Sequence, residues 1–462
     1  MSNTLSLNYT FNTPAIPVTD GPRLVYLLLE IGEETRSASL PVNLALVLDV
    51  SESMHIRVAN DEQFQELAHS GLLQEILIDG VPAWQSTEIP PEVLARLPRK
   101  IDRVRDALQT TVEHLRPSDR FSLLAFAGEA VTLIKNSAGA HKERLLNVVD
   151  ELDKLQLGDD TYIGRGLALG IEELRTGASA NLANRLLVLT DGFTLDEDVC
   201  RTWALHARQA NIPISTIGLG GEFNEELMIP IADQTGGEAY LLETPEDIPA
   251  VLAQELQRAQ AVSYRHLEIK LRPAQGVQVR AAHRVRPSIG PVEVLEEGGS
   301  YNFLLGDMVA GEKPALLIEM IAPPRPAGIF RLAQALLACD DPVSIDRSNL
   351  SGYKIREDVV IEYVDEVNYV HQPIPGVMHI VEALIAYKLQ RRAQADVEAG
   401  DVEGATQKLR AAATRLLDMG EEELAGEAQK QAELLERGGQ TDAWRTKKLR
   451  YETRKLTHRM SE

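Results

Sequence analysis

Five oxygen-bearing side chains could do chemistry together. Asp49, Ser51 and Ser53 alternate in Asp49-Val50-Ser51-Glu52-Ser53, and Thr161 and Asp191 follow further along the chain. The first three close the apolar run Leu44-Ala45-Leu46-Val47-Leu48, so they sit where a buried strand would end. All five are hard oxygen donors with no Cys or His among them, a set that suits Mg²⁺ or Mn²⁺ and rejects soft metals. Three are neutral hydroxyls. If Asp49 and Asp191 bind mainly through water, the ion keeps much of its charge and can accept a carboxylate from outside. The pattern therefore predicts an open metal site that captures an Asp or Glu of a protein partner. A lone Asp-x-Ser-x-Ser would serve equally well as a helix cap. The company of Thr161 in Thr-Tyr-Ile-Gly-Arg-Gly and Asp191 in Leu-Thr-Asp-Gly favours the metal.

The elements that must position these residues are legible as alternating strands and helices. LALVLDV is a continuous apolar strand, and Ile101 to Leu115 repeats apolar residues at helical spacing up to Pro117. RFSLLAF reads as a strand, 143–155 and YIGRGLALGIEELR as helices, ANRLLVLTDG as a strand, and DEDVCRTWALHARQA as a helix. IPISTIGLG is a strand, NEELMIPIADQTGG a helix and AYLLE a last strand. Uninterrupted apolar strands between helices predict a doubly wound, mostly parallel sheet covered on both faces. In strand order 3-2-1-4-5-6 the strands ending at Asp49 and Asp191 are neighbours, and ligands bind beyond such carboxyl ends.

The flanks differ. Residues 1–38 hold strand-like pieces, an alternating Leu5, Leu7, Tyr9, Phe11 and an apolar LVYLLL. Residues 256–368 return to strands with polar Gly- and Pro-bearing turns, a β-sandwich pattern. Because 1–38 is too slight to fold alone, its strands are expected to join that sandwich, with the α/β domain of 39–255 inserted. Residues 374–438 read as two or three antiparallel helices, with Gly400-Asp401 as cap chemistry between the first two. The tail, 439–462, is basic and either docks on the acidic body or stays mobile.

The pieces LALVLDVSESM, DRVRDAL, SDRFSLLAFAGEA, GDDTYIGRGLALGI, LLVLTDG and PISTIGLG closely resemble the von Willebrand factor A domain family. The resemblance covers roughly 38–255. It implies a metal-ion-dependent adhesion site at Asp49, Ser51, Ser53, Thr161 and Asp191. The flanks resemble bacterial proteins in which this domain sits inside a β-sandwich ahead of a helical tail, with GDMVAGEKPALLIEM as a softer match. One departure is an insert at 56–98, between the Ser-x-Ser loop and the first helix. It contains a short helix in EQFQELAHSGLLQEIL and an aromatic, Trp84, and could be a specificity element, a lid whose Asp or Glu reaches the metal, or decoration.

Bulk composition narrows the function. The chain has 462 residues and a formal net charge of -22, which argues against nucleic acid as a partner. Two cysteines, Cys200 and Cys339, make neither a disulfide framework nor a zinc site and suit a reducing compartment. The N-terminus lacks the pattern of a signal peptide, and no apolar run would span a membrane, so a cytoplasmic protein is expected. Gly164-Arg165-Gly166 lacks the spacing of a phosphate loop and reads as a packing motif. No Ser-His pair, oxyanion hole or second metal is marked, so the chain reads as a binding and scaffolding module rather than an enzyme. The alternative is a subunit of a larger ATPase or chelatase-type machine docking through the same metal; a metal-assisted hydrolase is the weaker third reading.

Overall fold

The computed structural model describes residues 5–33, 40–59, 61–78, 81–86, 89–179, 181–292, 294–340, 353–365, 369, 372–438 and 442–459. The chain begins with β1 (Leu5–Phe11), β2 (Ala15–Pro17) and β3 (Arg23–Glu33). It then builds an α/β unit from β4 (Val42–Asp49), where all eight residues are buried. An excursion follows: α1 (Asp61–His69), β5 (Leu73–Ile78), β6 (Val81–Ser86) and α2 (Pro91–Leu94). The unit continues through α3 (Lys100–His114), β7 (Arg120–Phe126), β8 (Ala130–Ala138), α4 (Lys142–Val149), α5 (Ile163–Thr176) and β9 (Ala183–Thr190). It ends with α6 (Glu197–Gln209), β10 (Ile214–Leu219), α7 (Glu225–Thr235), β11 (Ala239–Leu242) and α8 (Ile248–Gln260).

The central sheet runs β11-β10-β9-β4-β7-β8, parallel except for the edge strand β8. This is the 3-2-1-4-5-6 order, and β4 lies between β7 and β9. Successive side chains of β4 enter opposite cores. Leu44, Leu46 and Leu48 pack with Ile101, Val104 and Leu108 of α3 and Leu252 of α8. Ala45 and Val47 pack with Leu167 and Ile171 of α5 and Ala204 of α6. Burial on both faces is why the run Leu44–Leu48 is apolar throughout. Gly166 and Gly170 let α5 lie directly on β4, because a Cβ there would come within 2.6 and 2.8 Å of the Val47 methyls.

A sandwich surrounds this unit in sequence. Its strands are β12 (Val262–Pro273), β13 (Gln278–Arg286), β14 (Gly290–Pro291), β15 (Val294–Glu297), β16 (Ser300–Val309), β17 (Ala315–Ala322), β18 (Gly328–Asp340) and β19 (Ile355–Val364). The two sheets run β1-β3-β17-β13-β14 and β15-β16-β12-β18-β19-β2, so the N-terminal strands enter both. The α/β unit is thus inserted between β3 and β12. Leu27, Leu29, Ile31, Ile269, Leu271 and Leu337 are among the residues of the core between the sheets.

Four helices follow: α9 (Pro375–Glu398), α10 (Val402–Asp418), α11 (Glu422–Glu436) and α12 (Ala443–Arg459). Val377, Ile380 and Leu384 of α9 cover Leu28 and Leu317 on the outer face of the first sandwich sheet. Asp401 caps α10 by accepting the Gly404 amide at 2.9 Å, after Gly400 turns the chain with φ 79°. The basic tail is the helix α12, and it docks. Lys447 donates to the carbonyls of Gly221 and Phe223 at 2.6 Å each, and Arg454 grips both oxygens of Asp233 at 3.0 and 2.6 Å. Ile289 of the sandwich donates to the Arg454 carbonyl at 2.8 Å, so one helix ties all three units. Among the described residues no helix is long and apolar enough to cross a membrane.

Several elements differ from the sequence reading. EQFQELAHSGLLQEIL is not one helix: α1 stops at His69, Gly71 turns with φ 76°, and LQEILI becomes β5, paired with β6. Trp84 lies in β6 opposite Glu75, and the surroundings of its side chain lie outside the described residues. β8, α8 and β18 were not anticipated.

Candidate functional site

Asp49 is the last residue of β4 and is fully buried. Its Oδ1 accepts the Ser51 amide at 2.9 Å, and its Oδ2 accepts the Thr190 hydroxyl at 2.6 Å. The Ser51 and Ser53 hydroxyls lie 3.0 Å apart, and Ser53 donates to Asp191 Oδ1 at 2.6 Å. The other oxygen of Asp191 accepts the Lys100 ammonium at 2.6 Å. The Asp191 side chain has no exposed surface, and that of Lys100 is 20% exposed. Thr161 belongs to the same cluster: its carbonyl accepts the Leu195 amide at 3.0 Å, and its hydroxyl lies 3.9 Å from where a Gly192 Cβ would be. Burial pushes the Asp49 carboxyl up to about 6; the bonds from Ser51 and Thr190 pull it down, and the nearby Asp191 charge adds to the rise.

Lys100 reaches Asp191 because of how the excursion closes. Arg57 and Arg99 form an antiparallel bridge at its neck. The Val58 amide donates to the Pro98 carbonyl at 3.0 Å, and the Lys100 amide donates to the Ile56 carbonyl at 3.3 Å. At the start of α3 the Arg99 amide donates to Asp102 Oδ2 at 2.9 Å, so Lys100 is the first residue of a helix whose N-terminus lies at the strand tips. The neck of the insert thus sets Lys100, just beyond its end, against Asp191.

This arrangement overturns the metal reading. Among the described residues no group of three or more His, Cys, Asp or Glu could hold a metal ion. The cluster offers two carboxylates. One is neutralised by Lys100, and both oxygens of the other are engaged by Thr190 and Ser51. Hydroxyls alone do not repay the dehydration of a hard dication. The Mg²⁺ or Mn²⁺ cofactor, the metal-ion-dependent adhesion site and the capture of a partner's Asp or Glu are therefore corrected. So are docking to an ATPase or chelatase-type machine through that metal, and metal-assisted hydrolysis.

The residues that the sequence reading missed lie on the next loop. Thr194 donates to Asp196 Oδ1 at 2.6 Å, and its hydroxyl accepts the Ile163 amide at 3.0 Å. Asp196 Oδ1 also accepts the Gly164 amide at 3.0 Å. On this pinned base, Phe193 and Leu195 stand 61% and 66% exposed, with Val199 and Ile56 also exposed. The usual pattern is inverted here, with buried polar Thr194 between the exposed apolar Phe193 and Leu195, so apolar periodicity did not mark the loop as a surface. Cys200 sits buried beneath, and burial raises its thiol, with Asp196 adding to the rise; it is not activated.

Comparison with known proteins agrees with this anatomy. The von Willebrand factor type A domain matches residues 96–254, beginning after the strand that carries Asp49. The Sll0103-like C-terminal alpha-helical domain matches 375–459. The uncharacterized protein sll0103 of Synechocystis is 25% identical over 381 residues, covering 81% of this chain and 78% of that one. YfbK of Escherichia coli, also uncharacterized, is 26% identical over 285 residues, covering 60% of this chain and 46% of its own length. In fold, a von Willebrand factor type A protein from Catenulispora acidiphila is similar with TM-score 0.74 at 14% identity, over 98% of this chain and 97% of that one. The ArnB paralog VWA2 from Sulfolobus acidocaldarius is similar with TM-score 0.57 at 17% identity, over 98% and 99%.

Proposed function

We propose that this protein is a non-enzymatic docking scaffold whose contact surface is the carboxyl end of the central sheet, working without a metal. The observation that carries this reading is the Phe193–Leu195 pair. Two bulky apolar side chains stand in solvent at 61% and 66% exposure on a loop whose base is hydrogen-bonded to Thr161 and Ile163. Scattered apolar residues on a surface are ordinary, but a clustered patch on a rigid loop marks an interaction site. A preorganised loop also loses little entropy on binding, and aromatic anchors supply much of an interface's energy. Below the loop, the closed Asp49–Thr190 and Asp191–Lys100 pairs act as its foundation.

The test is site-specific photo-crosslinking in the native host, with a photoreactive phenylalanine analogue at 193 and, as a control, at the exposed Ile329 of the sandwich. A discrete adduct from position 193 that survives EDTA and is missing from position 329 is the expected result. No adduct from 193, or the same adducts from both, would overturn the proposal.

A further inference from the structure

We infer that the partner segment docking at this rim is a basic apolar peptide stretch of another protein, with Lys or Arg side chains flanking bulky hydrophobic ones. This rests on the docking reading above and adds the partner's chemistry. The parallel strands end on one edge of the sheet, so their loops share one face. Around Phe193 and Leu195 that face carries Glu52, Asp159, Asp160, Asp198 and Glu222, all exposed and none in an ion pair among the described residues. The loops are contiguous: Leu195 bonds Thr161 beside Asp160, and Ser53 beside Glu52 bonds Asp191. Lys447, held by the Phe223 and Gly221 carbonyls beside Glu222, lies 5.8 Å from the Phe193 ring.

Among the described residues the cations beside this patch are already committed, and Arg57, next to the exposed Ile56, donates to the Ala95 and Leu97 carbonyls. Lys100 neutralises Asp191, Arg201 pairs with Glu197, and Lys447 is buried against carbonyls and Glu225. Arg165 is exposed but stacks over Tyr162 at 4.1 Å and donates to the Gly128 carbonyl. The rim is thus an apolar patch inside an excess of free carboxylates, on a chain of formal net charge -22. Such a field attracts cationic segments and repels acidic ones, and unmatched like charges across an interface are costly. An acidic partner, the one that the open-metal pattern called for, is the class this surface rejects.

The experiment is fluorescence anisotropy on the full chain with two short labelled peptides, one alternating Leu and Lys and one alternating Leu and Glu. The variants are Glu52→Gln/Asp198→Asn and Phe193→Ser/Leu195→Ser. The inference expects the Lys peptide to bind at least about tenfold tighter than the Glu peptide, to weaken as salt rises, and to lose about tenfold in either variant. If the Glu peptide binds as tightly, or the carboxylate variant changes nothing, the partner class is wrong. The docking reading then still stands provided Phe193→Ser/Leu195→Ser abolishes binding. Binding that ignores the Phe193→Ser/Leu195→Ser change, or no binding of either peptide, overturns both.

Discussion

The Lys100 ammonium lies 2.6 Å from Asp191 Oδ2, and the Asp191 side chain is shut away from solvent. This pair puts an internal cation on one of the two carboxylates that the sequence assigned to a metal. Asp191 also couples two loops separated by 138 residues, because Ser53 donates to its other oxygen at 2.6 Å. The carboxyl end of the sheet is thereby rigid before any partner arrives.

Removing the cation alone should therefore be expensive. Lys100→Met leaves a buried carboxylate with Ser53 as its remaining donor, and breaking such a pair costs about 3 kcal/mol. Lys100→Met/Asp191→Asn should recover most of that loss. Urea unfolding of the four proteins of this cycle measures the coupling, and additive effects would show that the pair does not matter.

Asp49 gives a pH signature. Its carboxyl is raised from 3.8 to about 6, so between those values the folded chain holds a proton that the unfolded chain releases. The neutral form's contribution is complete below about pH 4 and is lost as pH rises through 6. Asp49→Asn stays neutral throughout. It should match the wild type near pH 4 and exceed it by up to about 3 kcal/mol at pH 7. Thermal melts across that range check the sign. A variant less stable at pH 7 would mean that the ionised carboxylate is favoured in the fold.

The tail helix should come loose when its central anchor goes. Arg454 is 2% exposed and shares Asp233 with Arg284, which donates at 2.9 Å. Arg454→Met should cost about 3–5 kcal/mol. Trypsin should then cut at Lys447, Lys448 or Lys455 while the central sheet stays intact. Unchanged digestion would place the anchoring elsewhere.

The docking loop should be the opposite case. Phe193→Ser/Leu195→Ser alters exposed side chains and leaves Thr194 and Asp196 in place, so stability should move by no more than about 0.5 kcal/mol. A loss above that in calorimetric melting would make the pair structural and remove its claim to be a contact surface.

Much of the fold was legible because burial writes itself into sequence. β4 and β9 are covered on both faces, and their centres, Leu44–Leu48 and Leu186–Leu189, read as unbroken apolar runs. β8 did not, because it is a half-exposed edge strand with two register shifts against β7. α8 opens on Ile248-Pro249, beyond the AYLLE strand at which the sequence reading ended, with proline in the first turn where a helix tolerates it. β18 carries the alanine-rich LAQALLAC, whose local preference is helical until the sandwich core claims it. In the site, the pattern of Asp49, Ser51, Ser53, Thr161 and Asp191 was visible and its chemistry was not. The partner of Asp191 is set by a bridge between Arg57 and Arg99, which no local pattern announces.

The most direct measurement of the central claim is calorimetric titration of Mg²⁺ and Mn²⁺ into the wild type and into Asp49→Ala. A strand-tip cluster closed by Lys100 predicts no saturable heat from either protein. Saturable binding to the wild type that disappears in Asp49→Ala would contradict it.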